Sequence, residues 1–191
     1  MINCLLAGIG GQGTVLASKL ISQTAMDKGQ TVRTAETIGM AQRGGSVISH
    51  VRIGEDTYSP LIPKKTADIL IGFEPSEAVR AIDYLKPDGV VVVSRKAIQP
   101  VTASLTGKEY DADRMLEFLQ KNVAKLIIVD GDRICKECES TKVLNVALLG
   151  AAVKSGALNM TCEDIAKTIA KKVPEKFFEM NIKALMLGAE G

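Results

Sequence analysis

The fold of this chain is decided by the stretch INCLLAGIGGQG at residues 2–13. Residues 2–7 are mostly apolar and have the length of a strand, and glycines follow at positions 8, 10 and 13. Apolar residues then recur at helical spacing to about Lys28, so the pattern predicts a strand, a tight turn and a helix. A GxGxxG pattern in this context is typical of α/β proteins that bring a helix N-terminus close to an anion.

Strands and helices are predicted to alternate over much of the remaining chain. Ser46–Ile53 has the clearest alternation of apolar and polar residues, and Gly54–Asp56 predicts a hairpin to a short strand near Tyr58. Lys86–Gly89 predicts a break between a helix that begins at Pro75 and the next strand. We expect further strands at 31–35, 68–73, 90–93 and 126–130, and further helices at 113–121, at 141–154, from a capping box at 161–164, and from Pro174.

This order predicts an α/β, three-layer Rossmann-like fold with a mixed, largely parallel sheet and a helical C-terminal part. No repeat or low-complexity linker divides the chain, so we expect a single domain over residues 1–191.

Composition excludes several classes of function. The net charge is +2, aromatic residues make up 4% and no Trp is present, so we expect no nucleic-acid partner. No apolar run approaches the roughly 20 residues that cross a bilayer, so we expect no membrane partner. The first residues lack the charged segment of a secretory signal, which predicts a cytoplasmic protein.

The inventory of metal-binding and catalytic side chains is small. Of the cysteines, only Cys135 and Cys138 have the spacing of metal ligands, and such a pair is half of a tetrahedral zinc site. Cys4 and Cys162 stand alone, so we expect free thiols and no metal. His50 is the only histidine, and on an alternating strand it is expected to pack rather than to act as a base. No catalytic residue is predicted, which indicates a subunit whose active site lies on another chain.

The first glycine cluster has two interpretations that stay open at this point. Gly8, Gly10, Gly11 and Gly13 form a candidate anion- or nucleotide-binding turn. Glu36 ends the second strand 23 residues after Gly13, where a ribose-binding acid would stand. Taken alone, this favours a free-standing nucleotide-binding or sensor module. Against it, the chain lacks room for a second catalytic domain, and a glycine-rich hairpin is predicted in place of a crossover helix. The alternative is that the glycines only let the strand and the helix pack closely.

The second glycine cluster is the stretch GMAQRGGS at residues 39–46. Paired glycines before an alternating strand provide a loop that can lie flat against another backbone. An adjacent arginine can donate two hydrogen bonds to a carboxylate or a phosphate. We therefore expect a loop that faces a partner or a cofactor, and the alternative is a surface turn with a solvated arginine. The candidate residues are Gln42, Arg43, Gly44, Gly45 and Ser46.

Both clusters resemble a known family. GIGGQG at 8–13, followed by LASK at 16–19, resembles the opening of the gamma domain of the pyruvate/2-oxoacid:ferredoxin oxidoreductases. GMAQRGGSV at 39–47, followed by SHVR at 49–52, resembles the beta subunits of the indolepyruvate branch, whereas the pyruvate and 2-oxoglutarate branches carry Gly-Pro-Glu-x-Arg-Gly-Gly. Further matches extend over nearly the whole chain: ADIL at 67–70, FEP at 73–75, LKPDG at 85–89, Asn145, LLGA at 148–151, Asn181, Ala184 and Gly188.

The resemblance implies a small, cofactor-free subunit that is inactive alone. The complex would oxidatively decarboxylate a 2-oxoacid, indolepyruvate or another aryl pyruvate, to its acyl-CoA and pass electrons to ferredoxin. Thiamine diphosphate and iron–sulfur clusters would lie on the larger alpha subunit, with CoA and ferredoxin as co-substrates. The irregular cysteine spacing agrees, because it does not match the ferredoxin cluster pattern.

Overall fold

The computed structural model describes residues 1–38, 44–55, 57–98 and 110–191, so Gln42 and Arg43 lie outside the described residues. Within them, the strands are β1 (Ile2–Ile9), β2 (Val32–Ile38), β3 (Ser46–Ile53), β4 (Ala67–Gly72), β5 (Leu85–Ser94) and β6 (Lys125–Val129). These six strands form one sheet in the order β2-β3-β1-β4-β5-β6. β3 runs antiparallel to β1 and β2, whereas β1, β4, β5 and β6 are parallel, which confirms the mixed, largely parallel sheet.

Helices cover both faces of the sheet. Residues alternate along β1, so that Cys4 and Leu6 join one apolar cluster while Leu5 and Ala7 join another. The described helices are α1 (Thr14–Asp27), α2 (Pro75–Ala81), α3 (Ala112–Asn122), α4 (Gly131–Glu137), α5 (Leu144–Lys154), α6 (Cys162–Lys172) and α7 (Phe178–Glu190). The first cluster contains residues of α1, α4, α5, α6 and α7, and the second contains residues of α2 and α3, which confirms the three layers.

The predicted hairpin from Ser46–Ile53 to a strand near Tyr58 is wrong. β3 pairs with β1 along one edge and with β2 along the other, so it has no free edge for the segment that follows it. Residues 57–66 contain no strand, and Tyr58 is 92% exposed. The chain instead forms the hairpin between β2 and β3, whose connection contains the second glycine cluster.

The predicted break at Lys86–Gly89 is also wrong. These residues belong to β5, and the pairing of β5 with β4 shifts register there: Ala67 pairs with Leu85, but Ile69 pairs with Val90. Such a bulge tolerates Pro87, which has no backbone N–H to donate to the ladder. Helix α2 accordingly ends earlier than predicted and continues as a short 3-10 turn at Ile82–Tyr84.

Candidate functional site

The glycine turn, residues 8–13, lies where β1 ends and α1 begins. This is the carboxyl end of the parallel strands, where ligands bind in open α/β sheets. Gly13 precedes α1 with φ 83°, and no side chain caps the helix. The first backbone amides of α1 therefore have no side-chain acceptor, which suits a helix N-terminus that receives an anion.

Two glycines of the turn permit close packing. A Cβ on Gly13 would lie 2.9 Å from Nδ2 of Asn145, and its left-handed φ already disfavours other residues. A Cβ on Gly8 would lie 2.8 Å from Cβ of Phe73. Both contacts support the packing interpretation of these glycines. The Gly10 and Gln12 amides already donate within the chain, to the carbonyls of Gly45 and Ile9. An anion would therefore meet the turn at Gly11 and Gly13.

Gln12 fixes the shape of the turn from within. Its Oε1 accepts a hydrogen bond from the Ile9 amide at 2.7 Å, and its Nε2 donates to the Phe73 carbonyl at 3.0 Å. The side chain thus joins the turn to the chain after β4. The glycine pattern did not indicate this role, because Gln12 occupies a variable position of GxGxxG.

An open depression of about 540 Å³ lies over the turn. Lys96 follows β5, and Lys142 belongs to a 3-10 turn, Thr141–Val143, that continues into α5. The Ser140 hydroxyl caps this turn by accepting from the Lys142 amide at 3.3 Å. Lys96 forms an ion pair with Asp132 at 2.9 Å, and this hydrogen bond raises the pKa of Lys96. The depression is lined by Gly11, Gln12, Gly13, Leu16, Lys96, Ile98, Thr141, Lys142, Leu144 and Asn145. The N-terminus of α1 and the two lysines make it suitable for an anion.

The structure brings the two glycine clusters together. The Gly10 amide donates to the Gly45 carbonyl at 2.9 Å. The Ser46 hydroxyl donates to Oε2 of Glu77 at 2.5 Å, and Arg80 donates to Oε1 of the same carboxylate at 3.1 Å. Glu77 is only 5% exposed, so it holds the end of the second cluster firmly. Gly44 is exposed, as the predicted loop requires.

Glu36 does not occupy the position of a ribose-binding acid. In dinucleotide-binding folds that acid follows the strand beside the first strand. Here β3 lies between β2 and β1, which moves Glu36 sideways by about 5 Å, one strand spacing. Its Oε1 instead accepts a hydrogen bond from the Ser18 hydroxyl at 3.2 Å. The nucleotide interpretation of the glycine turn therefore lacks its acid.

His50 packs inside β3, as expected. It is 4% exposed, and its ring meets that of Tyr84 edge-on at 5.7 Å. Its Nδ1 accepts a hydrogen bond from the Ile62 amide at 3.2 Å. Burial lowers the pKa of His50, so the imidazole stays neutral and serves as an acceptor.

The four cysteines do not fit an iron–sulfur cluster. Cys4 is buried in β1, Cys135 and Cys138 are buried around α4, and Cys162 begins α6. Burial raises the pKa of all four thiols, which disfavours the thiolates that bind metals. Residues 1–38, 44–55, 57–98 and 110–191 contain no group of three or more His, Cys, Asp or Glu side chains suited to a metal ion.

Across the described part of the chain, no helix is both long and apolar enough to span a bilayer.

Comparisons with known proteins agree with this fold. The family model described as pyruvate ferredoxin/flavodoxin oxidoreductase matches residues 3–191. The chain is 35% identical to indolepyruvate oxidoreductase subunit IorB of Thermococcus kodakarensis, over 98% of this chain and 94% of that protein. It is 37% identical to the subunit of the same name in Archaeoglobus fulgidus, over 98% of this chain and 93% of that protein.

A solved structure is similar over nearly its whole length. Pyruvate oxidoreductase subunit PORC of Thermotoga maritima superposes with a TM-score of 0.74 at 22% identity, over 99% of this chain and 95% of that chain. This likeness shows the fold alone. Because the family model matches residues 3–191 and two relatives are 35% and 37% identical over nearly the whole chain, the chain belongs to the pyruvate ferredoxin/flavodoxin oxidoreductase family.

Proposed function

We propose that this chain is the small subunit of a 2-oxoacid:ferredoxin oxidoreductase of the indolepyruvate branch. One observation carries the proposal: the depression over the glycine turn combines the N-terminus of α1 with Lys96 and Lys142, which suits an anion, whereas its described lining contains no acid–base pair or metal-ligand cluster. A site that can bind but not transform its ligand fits a subunit that completes the active site of another chain. The likeness to subunits named for indolepyruvate supports the branch.

In the proposed complex, a 2-oxoacid such as indolepyruvate or another aryl pyruvate loses CO₂, and its acyl group passes to CoA. The two electrons released go to ferredoxin, a second partner of the complex. The large subunit would supply thiamine diphosphate and the iron–sulfur clusters. The cysteines of this chain support that division, because they do not converge on a cluster site.

The part we assign to this chain is to bind and orient an anionic group. Gly11 and Gly13 of the glycine turn, the N-terminus of α1 and Lys142 border the depression, which suits a phosphate of CoA. Lys96 contributes less, because Asp132 already pairs with it.

The second glycine cluster is proposed to face the large subunit near its cofactors. Gln42, Arg43, Gly44, Gly45 and Ser46 form this loop, of which Gly44, Gly45 and Ser46 belong to the described residues. The hydrogen bond from Gly10 to Gly45 joins it to the glycine turn, so both clusters lie on one face. Arg43 would pair with a phosphate of CoA or thiamine diphosphate, or with an acidic side chain of the partner.

The same proposal takes residues 1–191 as one gamma-type domain of a cytoplasmic complex. The family match over residues 3–191 and the continuous sheet support a single domain.

Affinity purification from the native cell tests the proposed function. The tagged chain should retain a large protein that contains iron and thiamine diphosphate, and the eluate should reduce viologen when supplied with indolepyruvate and CoA. The rival class, a free-standing nucleotide-binding module, predicts a monomer or homodimer with stoichiometric bound nucleotide. That result, without a large partner, would overturn the proposal.

A further inference from the structure

Asn145 is a buried residue whose side-chain amide group is only half used. It lies in the first turn of α5 and is 3% exposed. Its Oδ1 accepts a hydrogen bond from the Val146 amide at 3.0 Å, which fixes the orientation of the side-chain amide group. Among the described residues, no acceptor is hydrogen-bonded to its Nδ2. Because an unpaired buried donor is costly, this group indicates a partner from outside the chain.

The unused Nδ2 of Asn145 faces the depression over the glycine turn. Asn145 belongs to the lining of that depression, and its Nδ2 lies 2.9 Å from the place that a Cβ on Gly13 would occupy. In the described part of the chain, the one side-chain polar atom that is both enclosed and unpaired is Oγ of Ser49. The Nδ2 of Asn145 is therefore accessible, and a ligand in the depression can accept its hydrogen bond.

The other donors around the depression come from separate elements. The backbone amides of Gly11 and Gly13 have no acceptor among the described residues, and they lie beside the uncapped N-terminus of α1. Lys142 belongs to the turn before α5, and Lys96 follows β5. The described lining includes both lysines and no aspartate or glutamate, so the ligand that suits it is an anion.

We propose that Asn145 binds a phosphate group in the depression, by donating from Nδ2 to the anion that the N-terminus of α1 and Lys142 also contact. This inference rests on the proposed function, which assigns an anionic group to the depression, and it adds the residue that selects that group. A phosphate presents three acceptor oxygens that do not lie in one plane with each other and the phosphorus, so it can meet donors from the turn, from α5 and from a lysine at once. A carboxylate presents two oxygens in one plane and would leave one of these donors unpaired.

The test is the binding of inorganic phosphate to the full chain, measured as the rise in Tm at constant ionic strength. Asn145→Asp keeps the shape of the side chain and the acceptor for the Val146 amide, but it replaces the donor by a negatively charged oxygen. We expect this variant to bind phosphate at least tenfold more weakly, because a hydrogen bond to a charged group is lost and a like charge is added. Acetate, the carboxylate probe, should raise the Tm of the wild-type chain much less than phosphate does.

Asn181→Asp is the matched control. Asn181 is also buried, but its Nδ2 donates to the Phe177 carbonyl at 2.7 Å, and the residue does not line the depression. This variant should lose stability, because a hydrogen bond is broken, while its affinity for phosphate stays within twofold of wild type. If Asn145→Asp does not fold, Asn145→Ala removes the same donor without adding a charge, and it should weaken phosphate binding severalfold.

The reconstituted complex identifies the source of the phosphate. Asn145→Asp should raise KM for CoA at least tenfold with little change in kcat if the phosphate belongs to CoA, or weaken the binding of thiamine diphosphate if it belongs to that cofactor. The inference is overturned if phosphate does not raise the Tm of the wild-type chain, if both Asn145 variants bind phosphate as the wild type does, or if acetate binds as tightly as phosphate. A chain that binds phosphate through Asn145 but retains no large subunit would instead refute the proposed function, so the two failures are distinguishable.

Discussion

The two ends of the sheet differ in shape and chemistry. At the carboxyl end, the glycine turn, the uncapped N-terminus of α1 and two lysines surround an open depression. At the amino end, Arg52 holds the backbone of the segment that exposes Tyr58 and Leu61. The carboxyl end is therefore suited to an anion, whereas the amino end exposes large apolar side chains. Substitutions can test the two ends independently.

The largest effect is expected at Gly13. Gly13→Val combines a left-handed φ of 83° with a Cβ 2.9 Å from Asn145 Nδ2, so we expect a loss of roughly 2–4 kcal/mol in the free energy of unfolding. Gly29→Val is the control, because Gly29 has φ 76° but nothing within 4 Å of its Cβ. Urea unfolding of both variants separates backbone strain from the packing contact. Equal losses would show that the contact with Asn145 contributes nothing.

Gly10→Val is expected to impair folding or assembly as well. The Gly10 amide bonds to the Gly45 carbonyl, so a branched side chain at this position would disturb the junction of the two glycine clusters. Wild-type stability and wild-type partner binding in this variant would contradict the tight-turn argument.

Arg43→Ala tests whether the charge of Arg43, rather than its packing, matters in the loop that we propose faces the large subunit. A buried ion pair broken at an interface costs several kcal/mol, whereas an exposed pair contributes about 0–1 kcal/mol. We expect the activity of the reconstituted complex to fall at least tenfold, while the Tm of the isolated chain hardly changes. Arg114→Ala, an exposed position on α3, should alter neither. Full activity of the Arg43→Ala complex would favour a solvated surface arginine.

The smallest expected effect is a pH dependence of the free energy of unfolding, which comes from His50. The folded chain lowers the pKa of His50 from its ordinary 6.5, so the unfolded chain binds a proton more readily. The free energy of unfolding should have its full value above about pH 6.5 and fall as the pH drops below it. Urea unfolding at pH 7.5 and 5.5 measures this difference. Since His50 is the only histidine, His50→Gln should abolish the pH dependence, and an unchanged dependence would contradict it.

The local elements of both ends were predictable from the sequence. The strand, turn and helix of residues 2–27 follow from short-range periodicity. The capping box was predicted too: the Thr161 hydroxyl accepts from the Asp164 amide at 3.1 Å, and Asp164 accepts from the Thr161 amide at 3.0 Å. Such contacts span three residues, so the sequence contains all the information that they need.

The long-range arrangement was not predictable in the same way. β3 lies between β2 and β1, and alternation within Ser46–Ile53 does not reveal which strands it joins. Lys96, Lys142 and Asn145 meet the glycine turn only after folding; Asn145 alone had a signal, through the family resemblance. A strand near Tyr58 was predicted wrongly, because side chains of Arg52 and His50 bond to backbone groups of residues 59–62 and no ladder forms.

Reconstitution from separately purified subunits tests the central claim most directly. Viologen reduction with indolepyruvate and CoA should be measured for this chain, for the large subunit and for their mixture, together with iron and thiamine diphosphate content. We predict turnover only in the mixture, with iron and thiamine diphosphate in the large subunit alone. Turnover by the isolated chain, or stoichiometric iron or thiamine diphosphate bound to it, would contradict the account.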